Sequence, residues 1–223
     1  MKIIITSLSI IVLSLAFTTM QAQEKPLDSI KNPYKELEMK KLIESKETVK
    51  IREKAFLKED ILAIQNLLAS PKNVAIIPHR SPDGDAMGST LALYHFLKKL
   101  NHKPVVISPN EIPNYLNWLP SSDTVLVYEK DKELCGEKIL QADLVFTLDF
   151  NALHRVGNDM QNTLEGYEND FALIDHHQQP DTYATLMFHD VKACSTCELV
   201  HEFIVGLGGK KLIDKDIAAC LYT

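Results

Sequence analysis

The stretch NVAIIPHRSPDGDAMGS, residues 73–89, decides the fold of this chain. Its apolar start, residues 74–78, predicts a strand that is buried on both faces of a sheet. A turn rich in proline and glycine follows, and then apolar residues recur at the spacing of one helix face, at positions 93, 96, 97 and 100. Strand, turn and helix in this order predict one βα unit of a parallel sheet.

The same alternation continues outward from this unit. Apolar segments predict further strands at residues 105–108, 125–128, 143–149 and 170–175, and an edge strand at 184–188. Helices are predicted at residues 59–68, 129–141, 200–207 and after Asp214, which is placed to cap the last one. The pattern predicts an α/β fold with a mainly parallel sheet covered by helices on both faces.

Acidic and histidine side chains follow three of the predicted strands. Taken one at a time, they have ordinary explanations: a structural histidine, a turn or a helix cap. Together they would meet beyond the carboxyl ends of the strands, where open α/β sheets bind ligands. Carboxylates with a few imidazoles suit Mn²⁺, Mg²⁺ or Fe²⁺, and two such ions can clamp a phosphate and activate water. The residues are His79, Asp83, Asp85, Asp149, Asp175, His176 and His177.

These groups resemble the motifs of the DHH phosphoesterases, which are named for the run Asp175-His176-His177. Within this family, the chain is most similar to the bacterial oligoribonuclease/3′-phosphoadenosine-5′-phosphate (PAP) phosphatase group. Two segments carry this similarity, Pro-Asp-Gly-Asp-Ala at residues 82–86 and Arg-Val-Gly at residues 155–157. The resemblance covers about residues 59–223. It implies a mainly parallel, Rossmann-like sheet flanked by helices.

The resemblance also implies a role for each motif residue. It implies two Mn²⁺ ions, with Mg²⁺ or another divalent ion as an alternative. The first ion would be held by His79, Asp83 and Asp149, and the second by Asp85, Asp149 and His176. Asp175 would support the metal ligands from behind, and His177 would face the scissile phosphate. The stretch from Ser195 to Glu198 is expected to have at most a structural or supporting part.

The activity that follows from the resemblance is metal-dependent hydrolysis of short RNA or DNA oligonucleotides, of PAP, or of both. A cyclic-dinucleotide phosphodiesterase and a pyrophosphatase are the alternative enzymes, and an inactive metal-binding fragment is the alternative without catalysis. The net charge of −6 and the pI of about 5.7 argue against binding of long nucleic acids, which favours a basic surface. The sequence leaves a homodimer open.

The two ends of the chain carry further expectations. A basic start, an apolar run at residues 3–17 and a small residue at Ala22 are typical of a signal peptide, residues 1–22, which predicts export to the periplasm. A membrane-adhering helix or a misjudged start codon are the alternatives, and without a signal the chain would be cytoplasmic, as the family is. Residues 23–58 are predicted to be a charged linker or helix, and residues 59–223 the DHH domain.

At the other end, the sequence stops before a fourth DHH motif and the DHHA1 domain. A truncated domain is therefore expected, with a weaker second ion and slow hydrolysis by these residues alone.

Overall fold

The computed structural model describes residues 56–223 and contains a six-stranded sheet in the order β3-β2-β1-β4-β5-β6. Every pair of neighbouring strands is parallel, which confirms the predicted α/β fold. The predicted signal peptide, residues 1–22, and nearly all of the predicted linker, residues 23–58, lie outside the described residues. The strands are β1 (Asn73–Pro78), β2 (Lys103–Ser108), β3 (Leu126–Val127), β4 (Leu144–Leu148), β5 (Asp170–Asp175) and β6 (Leu186–His189).

Six α-helices connect and flank these strands in the described part of the chain. They are α1 (Lys58–Leu67), α2 (Gly84–Lys99), α3 (Lys132–Leu140), α4 (Asn158–Glu165), α5 (Thr196–Gly206) and α6 (Lys215–Leu221). Asp214 caps α6 as predicted, since its side chain accepts hydrogen bonds from the amides of Asp216 and Ile217. The sequence did not predict α4, which is short and buries only Met160 and Leu164. None of the helices between residues 56 and 223 has both the length and the apolar character needed to cross a membrane.

The sheet separates two apolar cores, and the alternation of side chains along β1 shows how. Val74 and Ile76 pack on the side of α1, α2, α5 and α6, whereas Ala75 and Ile77 pack on the side of α3 and α4. All four side chains are essentially inaccessible to solvent. Because both faces are covered, the strands consist largely of apolar residues. Their nearly continuous apolar runs explain why the sequence located them.

The direction of chain progression reverses between β1 and β4, the two central strands. After β1, the chain adds β2 and then β3 on one side of it. After β4, it adds β5 and then β6 on the opposite side of the sheet. Pro78 pairs with Leu148, and Leu148 pairs with Ile174, so these strands end level with one another. The reversal leaves a crevice at the carboxyl ends of the strands, which is the usual ligand site of such sheets.

Candidate metal centre

The strand register places three predicted site residues in one row. His79 and Asp149 each stand one position beyond the paired residues Pro78 and Leu148, and Asp175 is the last residue of the adjoining strand. The amide of Asp149 donates a hydrogen bond to the carbonyl of Ile174, which continues the sheet ladder to this row. Residues that are far apart in sequence therefore meet at the crevice because their strands end level.

Asp149 lies at the centre of the row and is only 2% exposed. Its φ angle of 64° is in the left-handed region, which non-glycine residues seldom occupy but aspartate and asparagine tolerate. The carboxylate turns its two oxygens in different directions. Oδ2 lies 3.6 Å from His79 Nε2, and Oδ1 lies 3.6 Å from His176 Nε2. One side chain thus faces two imidazoles, as a bridging ligand would.

Backbone carbonyls determine which nitrogen of each imidazole faces Asp149. His79 Nδ1 lies 2.8 Å from the carbonyl oxygen of Arg80, and His176 Nδ1 lies 3.3 Å from that of Ala193. A carbonyl can only accept, so each Nδ1 carries the hydrogen and, in the neutral ring, each Nε2 presents a lone pair. Histidines that bind metals are commonly oriented in this way by a carbonyl on the other nitrogen.

Two clusters of ligand atoms result, and the donors in each lie within 4.8 Å of one another. One cluster is His79, Asp83 and Asp149, and the other is Asp149, His176 and His177. The 3.6 Å separations exceed a hydrogen bond and are close to the ~3 Å between neighbouring ligands of an octahedral ion with bonds of about 2.1 Å. Carboxylates and imidazole lone pairs at this spacing fit a divalent ion.

The second cluster differs in membership from the ligand set that the resemblance implied. Asp85 is near, with Oδ2 3.6 Å from His176 Nε2, but both of its oxygens already accept hydrogen bonds from backbone amides. His177, expected to face a phosphate, lies beside Asp149 with Nδ1 3.8 Å from Oδ1. The structure therefore brings all the predicted ligands together, and their individual roles stay predictions.

Asp175 contacts His177 directly. Its Oδ1 lies 2.7 Å from His177 Nδ1, and the carboxylate is fully buried whereas the imidazole is 40% exposed. Asp175 was expected to support the metal ligands. Its hydrogen bond runs instead to His177, the residue predicted to face the phosphate. This pairing fixes the ring and leaves Nε2 as its free nitrogen.

Thr196 lies in the stretch that was expected to have at most a structural or supporting part. Its hydroxyl donates a 2.8 Å hydrogen bond to Oδ1 of Asp149, and the residue is fully buried. Nothing in the sequence shows that Thr196 meets a carboxylate 47 positions earlier. No local signal could have identified that contact.

The electrostatics of the cluster favour retention of protons when no ion is bound. Burial by itself lowers the pKa of His79, but the neighbouring Asp149 carboxylate, the hydrogen bond to the carbonyl of Arg80 and the charge of Asp83 raise this pKa above its usual value. Burial raises the pKa of Asp149 and the charge of Asp85 adds to this, whereas the neighbouring His79 and the hydrogen bond from Thr196 lower it. A cation would replace these protons.

We therefore expect the affinity for Mn²⁺ to rise with pH through the raised pKa of His79. Below that pKa an incoming ion must displace a proton, which weakens binding by up to about tenfold per pH unit for each proton displaced. Calorimetry at pH 6.0 and 8.0, in two buffers of different ionisation heat, measures the affinity and the protons released. Equal affinity at both pH values, with no proton release, would contradict this account.

The fold and these clusters define an α/β protein with a candidate divalent-metal centre at the switch point of its sheet. A family model described as the DHH family, N-terminal domain, matches residues 73–223. The chain belongs to the DHH family, as the motif resemblance predicted.

Named relatives and a solved structure agree with this assignment. The chain is 30% identical to the probable bifunctional oligoribonuclease and PAP phosphatase NrnA of Streptococcus mutans, over 63% of this chain and 42% of the relative. It is 29% identical to the corresponding Thermus thermophilus protein, over 66% of this chain and 41% of that one. The crystal structure of an exopolyphosphatase-related protein from Bacteroides fragilis superposes with a TM-score of 0.73 at 35% identity, over 75% of this chain and 49% of that chain. The chain thus spans less than half the length of each protein.

Proposed function

We propose that this chain is a metal-dependent phosphoesterase that uses two Mn²⁺ ions. The observation that carries the proposal is Asp149, which presents one oxygen to each of two imidazoles from the bottom of a crevice. His79 and Asp83 would complete one site, and His176 with Asp85 or His177 the other. When bound, such ions polarise the phosphoryl group and lower the pKa of water.

The protein's own residues would orient the substrate at this centre. The buried Asp175 fixes the His177 ring through Nδ1, which leaves Nε2 for substrate on a side chain that is 40% exposed. When the ring is protonated, this nitrogen would donate a hydrogen bond to a phosphate oxygen or to a leaving oxygen. A donor that is already oriented loses little freedom on binding substrate, which favours the transition state.

For the substrate we propose short oligonucleotides and PAP. The support is the names of the two relatives, each a bifunctional oligoribonuclease and PAP phosphatase. The net charge of −6 is compatible with a small phosphorylated substrate, because bound cations would supply the local positive charge.

We also propose that residues 1–22 direct export, so that this chemistry would take place outside the cytoplasm.

The test is hydrolysis of a defined panel by the purified chain. We expect release of mononucleotides from a short RNA, and of phosphate from PAP, with Mn²⁺ present but not with EDTA. A cyclic dinucleotide, pyrophosphate and short-chain polyphosphate complete the panel, the last because the Bacteroides fragilis neighbour is named an exopolyphosphatase-related protein. His177→Gln should slow hydrolysis by roughly 10²-fold or more, the scale of losing one oriented donor, while Mn²⁺ binding on the His79 side of the centre persists.

The panel separates the alternatives. Preference for the cyclic dinucleotide, pyrophosphate or polyphosphate would replace the proposed substrate within the same chemistry. Binding of Mn²⁺ by folded protein without turnover of any substrate would favour a metal-binding fragment over an enzyme. Equal turnover in Mn²⁺ and in EDTA would contradict the metal-dependent proposal.

A further inference from the structure

The first turn of α5 contacts the candidate metal centre through one residue in two ways. Thr196 Oγ1 donates to Asp149 Oδ1 at 2.8 Å, and the backbone nitrogen of Thr196 donates to Asp85 Oδ2 at the same distance. The two carboxylates come from the loop after β4 and from the start of α2. Thr196 therefore connects carboxylates that no single strand or helix holds together.

The next residue completes the grip on Asp85. The backbone nitrogen of Cys197 donates to Asp85 Oδ1 at 2.8 Å, so both oxygens of this carboxylate are fixed by α5. Amides at a helix start carry partial positive charge, which stabilises a carboxylate. Fixed in this way, Asp85 Oδ2 lies 3.6 Å from His176 Nε2 and faces the second cluster.

The two oxygens of Asp149 are not equivalent with respect to Thr196. The hydroxyl bonds to Oδ1, which faces His176, whereas Oδ2 faces His79 on the other side. Loss of the hydroxyl would free the rotation of the carboxylate about its last bond and leave a buried oxygen with one donor fewer. The disturbance would be greatest on the His176 side.

We propose that Thr196 is a positioning residue that sets the affinity of the ion on the His176 side of the centre. This inference rests on the proposed metal-dependent function and adds a residue outside the three motifs. Hydrogen bonds to ligating carboxylates typically change metal affinity by about 10–100-fold when they are removed. The same loss is expected here, for one of two ions.

The experiment is calorimetric titration of the metal-free full chain with Mn²⁺ alone. We expect Thr196→Val to weaken one binding event by about 10–100-fold and to leave the other within roughly threefold. The affected event should be the one that His176→Gln weakens and not the one that His79→Gln weakens. Thr196→Ser keeps the hydroxyl and should bind like the wild type.

Thr147→Val is the matched control. Thr147 is also fully buried, and its hydroxyl forms a 2.8 Å hydrogen bond with the hydroxyl of Tyr183, which is not a predicted ligand. Both valine variants should lose similar stability because each loses one buried hydrogen bond, but only Thr196→Val should lose metal affinity.

Each outcome of the titration has a definite meaning. Equal Mn²⁺ binding by the wild type and Thr196→Val would overturn the inference, and so would equal weakening of both events or failure of Thr196→Ser to restore binding. If the folded wild type binds no Mn²⁺, the proposed function fails first, and the inference falls with it. Weakening by Thr147→Val to the same extent would reduce Thr196 to a purely structural residue.

Discussion

An Asp149→Asn variant is expected to lose measurable binding of both ions and nearly all hydrolysis. Asparagine has the same shape and also tolerates the left-handed backbone at φ 64°, so the substitution removes the charge without forcing the chain to move. Each oxygen of Asp149 faces a different imidazole, so one change weakens two sites. The loss of affinity should exceed the roughly 100-fold seen for residues behind a ligand, since this residue is itself a ligand.

Stability distinguishes loss of a ligand from loss of the fold. Burial raises the pKa of Asp149, which means that the folded protein holds its charge at a cost. The neutral variant should therefore be at least as stable as the wild type in EDTA, by thermal unfolding, but should gain nothing from added Mn²⁺. Asp143→Asn, at the opposite end of the same strand, is the control and should bind Mn²⁺ normally. Normal Mn²⁺ binding by Asp149→Asn would refute the bridging role.

The contrast between His79 and Thr196 shows what the sequence could predict about this site. His79, Asp149 and Asp175 follow apolar strands, and parallel strands end at one edge, so the row could be predicted without coordinates. Thr196 meets Asp149 only because α5 packs with its first turn above that row, and helix orientation is set by the whole core. Periodicity carries no such information.

The shorter elements left a weaker pattern in the sequence. The predicted strand at residues 125–128 has only two residues in the sheet, and α4 gave no usable signal. Helix α4 lies on the side of the sheet with the smaller apolar core, where fewer buried positions are available to impose a pattern. The long helix α2 has eleven buried residues, and these left a clear apolar pattern in the sequence.

Gly88→Ala is expected to be the most destabilising addition of one methyl group within residues 79–89. Gly88 lies inside α2, and a Cβ there would stand 2.4 Å from the carbonyl oxygen of Cys220 and 3.1 Å from the sulfur of Cys197. The carbonyl belongs to the backbone of α6, so the whole helix must shift to relieve the contact. Overpacking of this kind costs about 1–3 kcal/mol and more when backbone is involved. Alanine is favoured over glycine within a helix by only about 1 kcal/mol, so the cost of overpacking should exceed this gain.

Gly136→Ala gives the matched comparison for this glycine. Gly136 lies inside α3, and the nearest atom to its added Cβ is Thr163 Cγ2 at 4.0 Å, so only the helix preference of alanine remains. We expect this variant to gain roughly 0.5–1 kcal/mol and Gly88→Ala to lose about 2 kcal/mol or more, measured by urea unfolding. Mn²⁺ binding on the His79 side of the centre should persist in both, because neither methyl group approaches the predicted ligands there. A Gly88→Ala protein with wild-type stability but no hydrolysis would show instead that the glycine serves the phosphate and not the packing of α6.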